Sequence, residues 1–163
     1  MIDSFRQFFT DRMAPARRQQ NGRAAEIDTE ALEAERHQLH VAACALLLEI
    51  AYADDEFSDS ERQHICAVLQ RHFDLDEETA HALIEIAEAE RSHAIDLYQF
   101  TSLIRQHYDL GQKTLLAEIM WGVVLTDGEV ARHEGYVLRK IANLLELEPG
   151  YLAAARKRAS RAL

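Results

Sequence analysis

Cysteine, proline and glycine are all scarce in this chain of 163 residues, and each scarcity excludes a class of protein. The two cysteines, Cys44 and Cys66, leave no disulfide framework and no all-cysteine metal cluster. Two prolines and six glycines are too few for a strand-and-turn protein or for a glycine-rich phosphate loop. No apolar run approaches the ~18 residues that a membrane span requires. The opening stretch MIDSFRQFFTDRMAP carries Asp3 and Asp11 and has no long apolar core, so it makes a poor secretory signal. The expected compartment is the cytoplasm. No nucleophile elbow, Walker sequence or Rossmann fingerprint occurs.

What is present is a globular composition, 48% hydrophobic and 28% charged, which suits one domain with its own core. The net charge of −10 is unevenly spread. Residues 1–25 carry five basic and two acidic groups, residues 26–100 four basic and nineteen acidic, and residues 101–163 nine basic and seven acidic. So acidic a middle segment repels phosphates and argues against nucleic acid as a partner. It suits cations or a basic protein surface.

Residues 3–13 form an amphipathic stretch with Phe5, Phe8, Phe9 and Met13 at near-helical spacing. Residues 14–25, APARRQQNGRAA, have the composition of a linker. The chain therefore divides into an N-terminal arm and basic linker, 1–25, and a helical domain, 26–163. The arm's apolar strip is expected to pack on the acidic domain, with weak membrane contact as an alternative. From Ile27 onward the apolar residues keep a helical period, which predicts an all-α fold of seven to eight helices. Seven are placed at about 28–53, 59–72, 77–91, 96–107, 112–126, 131–145 and 149–161. Ser58 with Glu61 and Asp96 with Gln99 fit the capping-box pattern, Asp76 precedes two glutamates, and Pro149 suits a first helical position.

The chain also resembles itself at an offset of 73 residues, as from Ala42 to Leu115. Ala42, Leu46 and Ile50 match Leu115, Ile119 and Val123; Asp54, Glu56 and Glu61 match Asp127, Glu129 and Glu134. After a one-residue slip, Phe73 and Leu75 match Leu145 and Leu147. The repeating unit is helix, acidic loop, helix, helix, with copies at about 39–91 and 112–161 joined by a helix near 96–108. Two such units are expected to pack about a pseudo-two-fold axis.

Asp54 and Asp127 fall where each copy's first helix should end, at the negative pole of its dipole, where a carboxylate is unfavourable without a compensating cation or donor. Glu61 and Glu134 follow in the first turn of the next helix. Carboxylates from two helix ends, with loop carbonyls between, suit a hard divalent cation. The spacing is not that of an EF-hand. Asp54, Glu61, Asp127 and Glu134 are therefore the candidate metal ligands, with Glu56, Glu129 and His133 as second-rank candidates. Capping alone is the competing explanation for the same residues.

The segments AYADDEFSDSE and VVLTDGEVARHE resemble the TerB-like family of bacterial tellurite-resistance and stress domains. The resemblance covers about residues 30–160. It implies an all-helical fold with internal pseudo-symmetry and an acidic site for a divalent metal, falling on Asp54, Glu61, Asp127 and Glu134. Related domains occur fused to membrane-anchored co-chaperones, which implies a module rather than a catalyst. Two departures stand out: Asp55 replaces the usual glycine of the first loop, and Ala131 the capping serine of the second.

Eight histidines invite zinc, yet no HExxH and no Cys/His cluster with zinc spacing occurs. His37 and His40 share one helix face, Cys44 and Cys66 sit among apolar positions, and Met120 and Trp121 belong to the repeated apolar face. These read as structural residues. The expectation is a non-enzymatic domain that binds or senses a divalent cation (calcium, magnesium, manganese or zinc) in envelope or metal-stress physiology. The alternatives are a metal-free acidic adaptor for a basic protein partner and, third, a metal-dependent hydrolase.

Overall fold

The computed structural model describes residues 27–54, 57–125 and 132–161. The N-terminal arm and linker lie outside this range. Every regular element within it is helical. The order is α1 (Ile27–Ala51), a 3₁₀ turn (Tyr52–Asp54), α2 (Asp59–Phe73), α3 (Glu77–His93), α4 (Tyr98–His107), α5 (Leu110–Leu125), α6 (Arg132–Leu144) and α7 (Pro149–Arg161). The expected seven helices stand within a few residues of their predicted bounds.

Two helices are apolar on all sides over much of their length, and a helix of that kind must be surrounded. From Ala42 to Leu48 every residue of α1 is at most 2% exposed. In α5, Leu116, Ala117, Ile119, Met120, Trp121, Val123 and Val124 are buried. Small residues at Ala42, Ala43, Cys44 and Ala45 let neighbouring helices approach the axis of α1 closely. That helix packs against α2, α3, α4, α5 and α6, and most extensively against α3. Its counterpart α5 packs chiefly on α7 and also meets α1, α2 and α6. The first turns of α1 contribute nothing to this core: Leu32 is 43% exposed, and burial begins at Leu39.

Local chemistry sets the helix ends. The Ser58 Oγ accepts from the Glu61 amide at 3.2 Å, and Glu61 Oε2 accepts from the Ser58 amide at 2.8 Å, which completes the expected capping box. Asp76 caps α3 by accepting from the Thr79 amide at 2.7 Å. Pro149 opens α7. The expected box at Asp96 and Gln99 does not form. Asp96 Oδ1 accepts instead from the Tyr98 amide two residues on, and Leu97 takes the N-cap position of α4. A box not foreseen starts α5: Asp109 Oδ1 accepts from the Gln112 amide at 2.8 Å, and Gln112 Oε1 from the Asp109 amide at 2.9 Å. At the end of α6 the chain turns through Glu146 in a left-handed conformation, with Leu147 N–H donating to the Ala142 carbonyl and Glu146 N–H to that of Asn143. This is the Schellman arrangement, and it folds Leu147 into the core at 4% exposure.

Candidate functional site

The end of α1 leads into the first acidic segment, and the residues around it form a connected polar and aromatic cluster. Glu88 on α3 is its hub. Its Oε1 accepts from the Tyr52 hydroxyl at 2.9 Å and its Oε2 from Arg62 Nη2 at 2.7 Å. Arg91, one turn on, donates through Nε to Glu49 at 2.6 Å. The Arg91 guanidinium carbon also lies 4.3 Å from the centre of the Tyr52 ring, so Tyr52 is held from its face and from its hydroxyl at once. Phe57 packs on Tyr52 with 4.7 Å between ring centres, and Arg62 approaches the Phe57 ring. The 3₁₀ turn bearing Asp54 is thus pinned to α2 and α3 by charge-assisted hydrogen bonds and ring contacts.

The electrostatics of the cluster follow from partial burial. Burial and the bond to Glu88 raise the pKa of the Tyr52 hydroxyl, which keeps it a donor at physiological pH. Beneath the cluster, Cys44 is fully enclosed, and burial followed by the Glu88 charge pushes its thiol up to about 12. Cys66 is raised by burial as well. Neither thiol has the thiolate character that nucleophilic or metal chemistry needs, as expected of core cysteines.

Of the candidate ligands, Glu61 is the one whose side chain is described, and it is engaged in the capping box, its Oε2 accepting from both the amide and the hydroxyl of Ser58. Asp54 closes the 3₁₀ turn, but its side chain lies outside the described residues. Glu56, Asp127 and Glu129 lie outside them entirely. His133 and Glu134 stand in the first turn of α6, again with side chains outside the described part. The turn bearing Asp54 packs against α6, the helix whose first turn holds His133 and Glu134. Among the described residues, no group of three or more His, Cys, Asp or Glu side chains is arranged to hold a metal ion. The cluster of Glu49, Tyr52, Arg62, Glu88 and Arg91 escaped the sequence analysis. Its one sequence signal is Glu49 standing within the apolar run LLLEIA, a charge that had to find a partner.

A second feature lies at the far end of the chain. A cleft of about 340 Å³ opens between α5, α6 and α7, with Trp121, Arg139 and Arg156 among its walls. No helix of the described residues is long and apolar enough to cross a membrane.

An all-helical bundle built round two apolar helices, with an acidic turn locked beside its core, is the class of domain these observations define. The family model for the tellurite resistance protein TerB matches residues 40–157, and the chain belongs to that family. The match begins where α1 becomes buried. No curated protein and no solved structure matches the chain.

Proposed function

We propose that this chain is a non-enzymatic, divalent-cation-binding module of a tellurite-resistance or related stress response, with Asp54, Glu61, Asp127 and Glu134 as its ligands. The observation that supports it is the packing of the Asp54 turn against α6, the helix that follows the second acidic loop; the reading places the ligands of both loops about that contact. Carboxylates converging there would repel one another, and a hard cation such as calcium, magnesium or manganese relieves that repulsion. The reading includes a pseudo-two-fold arrangement of the two halves, which two observations support. Asp74 and Glu146, aligned by the repeat after its one-residue slip, both adopt left-handed backbone, with φ of 54° and 58°. The packing of α1 on α3 is likewise matched by that of α5 on α7.

One observation favours the second reading, a metal-free adaptor whose acidic surface docks a basic protein. The Glu61 carboxylate already has a structural task, since it satisfies the Ser58 amide. Glu61→Gln separates the two readings, because glutamine keeps a capping box while losing the charge. Elemental analysis of the purified protein, followed by calorimetric titration with calcium and manganese, provides the test. The metal reading predicts saturable binding that Glu61→Gln weakens without loss of helix. The adaptor reading predicts no saturable heat in either protein.

A further inference from the structure

The cleft between α5, α6 and α7 is independent of the acidic loops, and its composition has a chemical direction. Its buried walls are apolar: Trp121 is 3% exposed and Leu147 4%, with Leu152 half-buried beside them. Its exposed residues include Arg139 and Arg156. Neither guanidinium forms an ion pair among the described residues, although Arg62, Arg91, Arg105 and Arg158 all do. Arg156 is held instead by the indole, its guanidinium carbon 5.0 Å from the Trp121 ring, which leaves its N–H donors available to an anion. Pro149, the first residue of α7, also lines the cleft, so the positive end of that helix dipole borders it. The Trp121 Nε1–H is buried and has no hydrogen-bond partner among the described residues, an unmet donor in the same wall.

The internal sequence alignment sets these residues against different ones in the first half. Trp121, Arg139 and Arg156 align with Leu48, Cys66 and Ile84, all buried core residues of the first half. The second half departs from that pattern with an indole and two uncompensated positive charges around a concavity. A volume of about 340 Å³ lies within the range of small-molecule sites, roughly 300–1,000 Å³.

We infer that this cleft binds a small organic monoanion with an apolar body, its carboxylate meeting Arg139 and Arg156 and its hydrocarbon part resting on Trp121, Leu147 and Leu152. A lining more apolar than polar suits such a ligand better than a bare inorganic anion, which would leave it uncovered.

Trp121 is the single tryptophan of the chain, so its emission reports on the cleft alone. The test titrates the full chain with cyclohexylacetate, which is transparent at tryptophan wavelengths, and in parallel with cyclohexylacetamide, acetate and inorganic phosphate. The expected result is a saturable emission change with cyclohexylacetate at millimolar concentration or below, with the neutral amide and acetate each at least about tenfold weaker. Arg139→Gln and Arg156→Gln should each weaken cyclohexylacetate about tenfold, while Arg105→Gln, outside the cleft, leaves it unchanged. Equal binding of acid and amide, saturation by phosphate alone, or no saturable change overturns the inference. The ligand comparison in the unsubstituted protein stands even if an arginine variant folds poorly.

Discussion

Glu146 and Asp74 carry the same left-handed backbone, with φ of 58° and 54°, Asp74 directly after α2 and Glu146 two residues after the end of α6. They are the two non-glycine residues with positive φ among those described. The conformation costs an L-residue roughly 1 kcal/mol and costs aspartate less than glutamate. Glu146 also reaches Arg105 at 3.1 Å, but its side chain is 68% exposed, and such a pair contributes only a few tenths of a kcal/mol to roughly 1. Glu146→Gly is therefore expected to stabilise the protein by about 0.5 kcal/mol, and Asp74→Gly by less. A shift of the urea midpoint at constant slope is the measurement.

The Glu88 hub makes a second prediction. Tyr52→Phe removes one hydrogen bond to a partly buried carboxylate and should cost about 1 kcal/mol. Glu88→Ala leaves both Tyr52 and Arg62 without their acceptor and should cost about 1–3 kcal/mol. Because the two share an interaction, the double variant should fall short of the sum by about 0.5 kcal/mol or more in a denaturation cycle. Additive losses would mean that the hydrogen bond between Tyr52 and Glu88 contributes nothing.

Acid sensitivity follows from two histidines. Burial, reinforced by the positive charges of Arg36 and His37, lowers His40 to about 4, and burial with Arg71 lowers His72 to about 4. His40 also packs edge-on against Phe73, with 4.9 Å between ring centres. In the unfolded chain both histidines take up protons near pH 6.5, whereas in the fold they stay neutral down to about pH 4. The unfolded state thus binds more protons in that window, and stability falls as pH drops through it, by up to about 1.4 kcal/mol per pH unit for each residue. Below pH 4 both states are protonated and the loss stops growing. Replacing His40 and His72 by glutamine should flatten chemical-denaturation stability between pH 6.5 and 4; an unchanged slope would place the acid sensitivity elsewhere.

Helix positions were legible in the residues because their signals are local. The Ser58–Glu61 box, the Asp76 cap and the apolar periods of α2, α3 and α6 each operate within one or two turns. Asp96 misled because aspartate satisfies an amide two residues on as readily as one three residues on, and Tyr98 lies at the nearer position. α5 starts two residues before its predicted bound, because Gly111, a poor helix former, falls in its first turn and hides the start in the sequence. The Glu88 hub was illegible because its partners lie 26 and 36 residues away, where periodicity says nothing. Trp121 is the buried-face residue its spacing predicts, but the cleft beside it is a property of how three helices meet.

Whether the acidic loops hold a divalent cation is read from the melting temperature of the chain across millimolar calcium, magnesium, manganese and zinc. A ligand bound only by the folded state stabilises it by about 2.7 kcal/mol at a concentration 100-fold above its Kd. A metal site in these loops predicts that at least one hard cation raises the melting temperature in a concentration-dependent way. It also predicts that the Asp54→Asn, Asp127→Asn double variant loses that response while melting at or slightly above the metal-free temperature of the parent, as carboxylate repulsion is relieved. A melting temperature unmoved by all four cations, or a response that survives the double substitution, would contradict it.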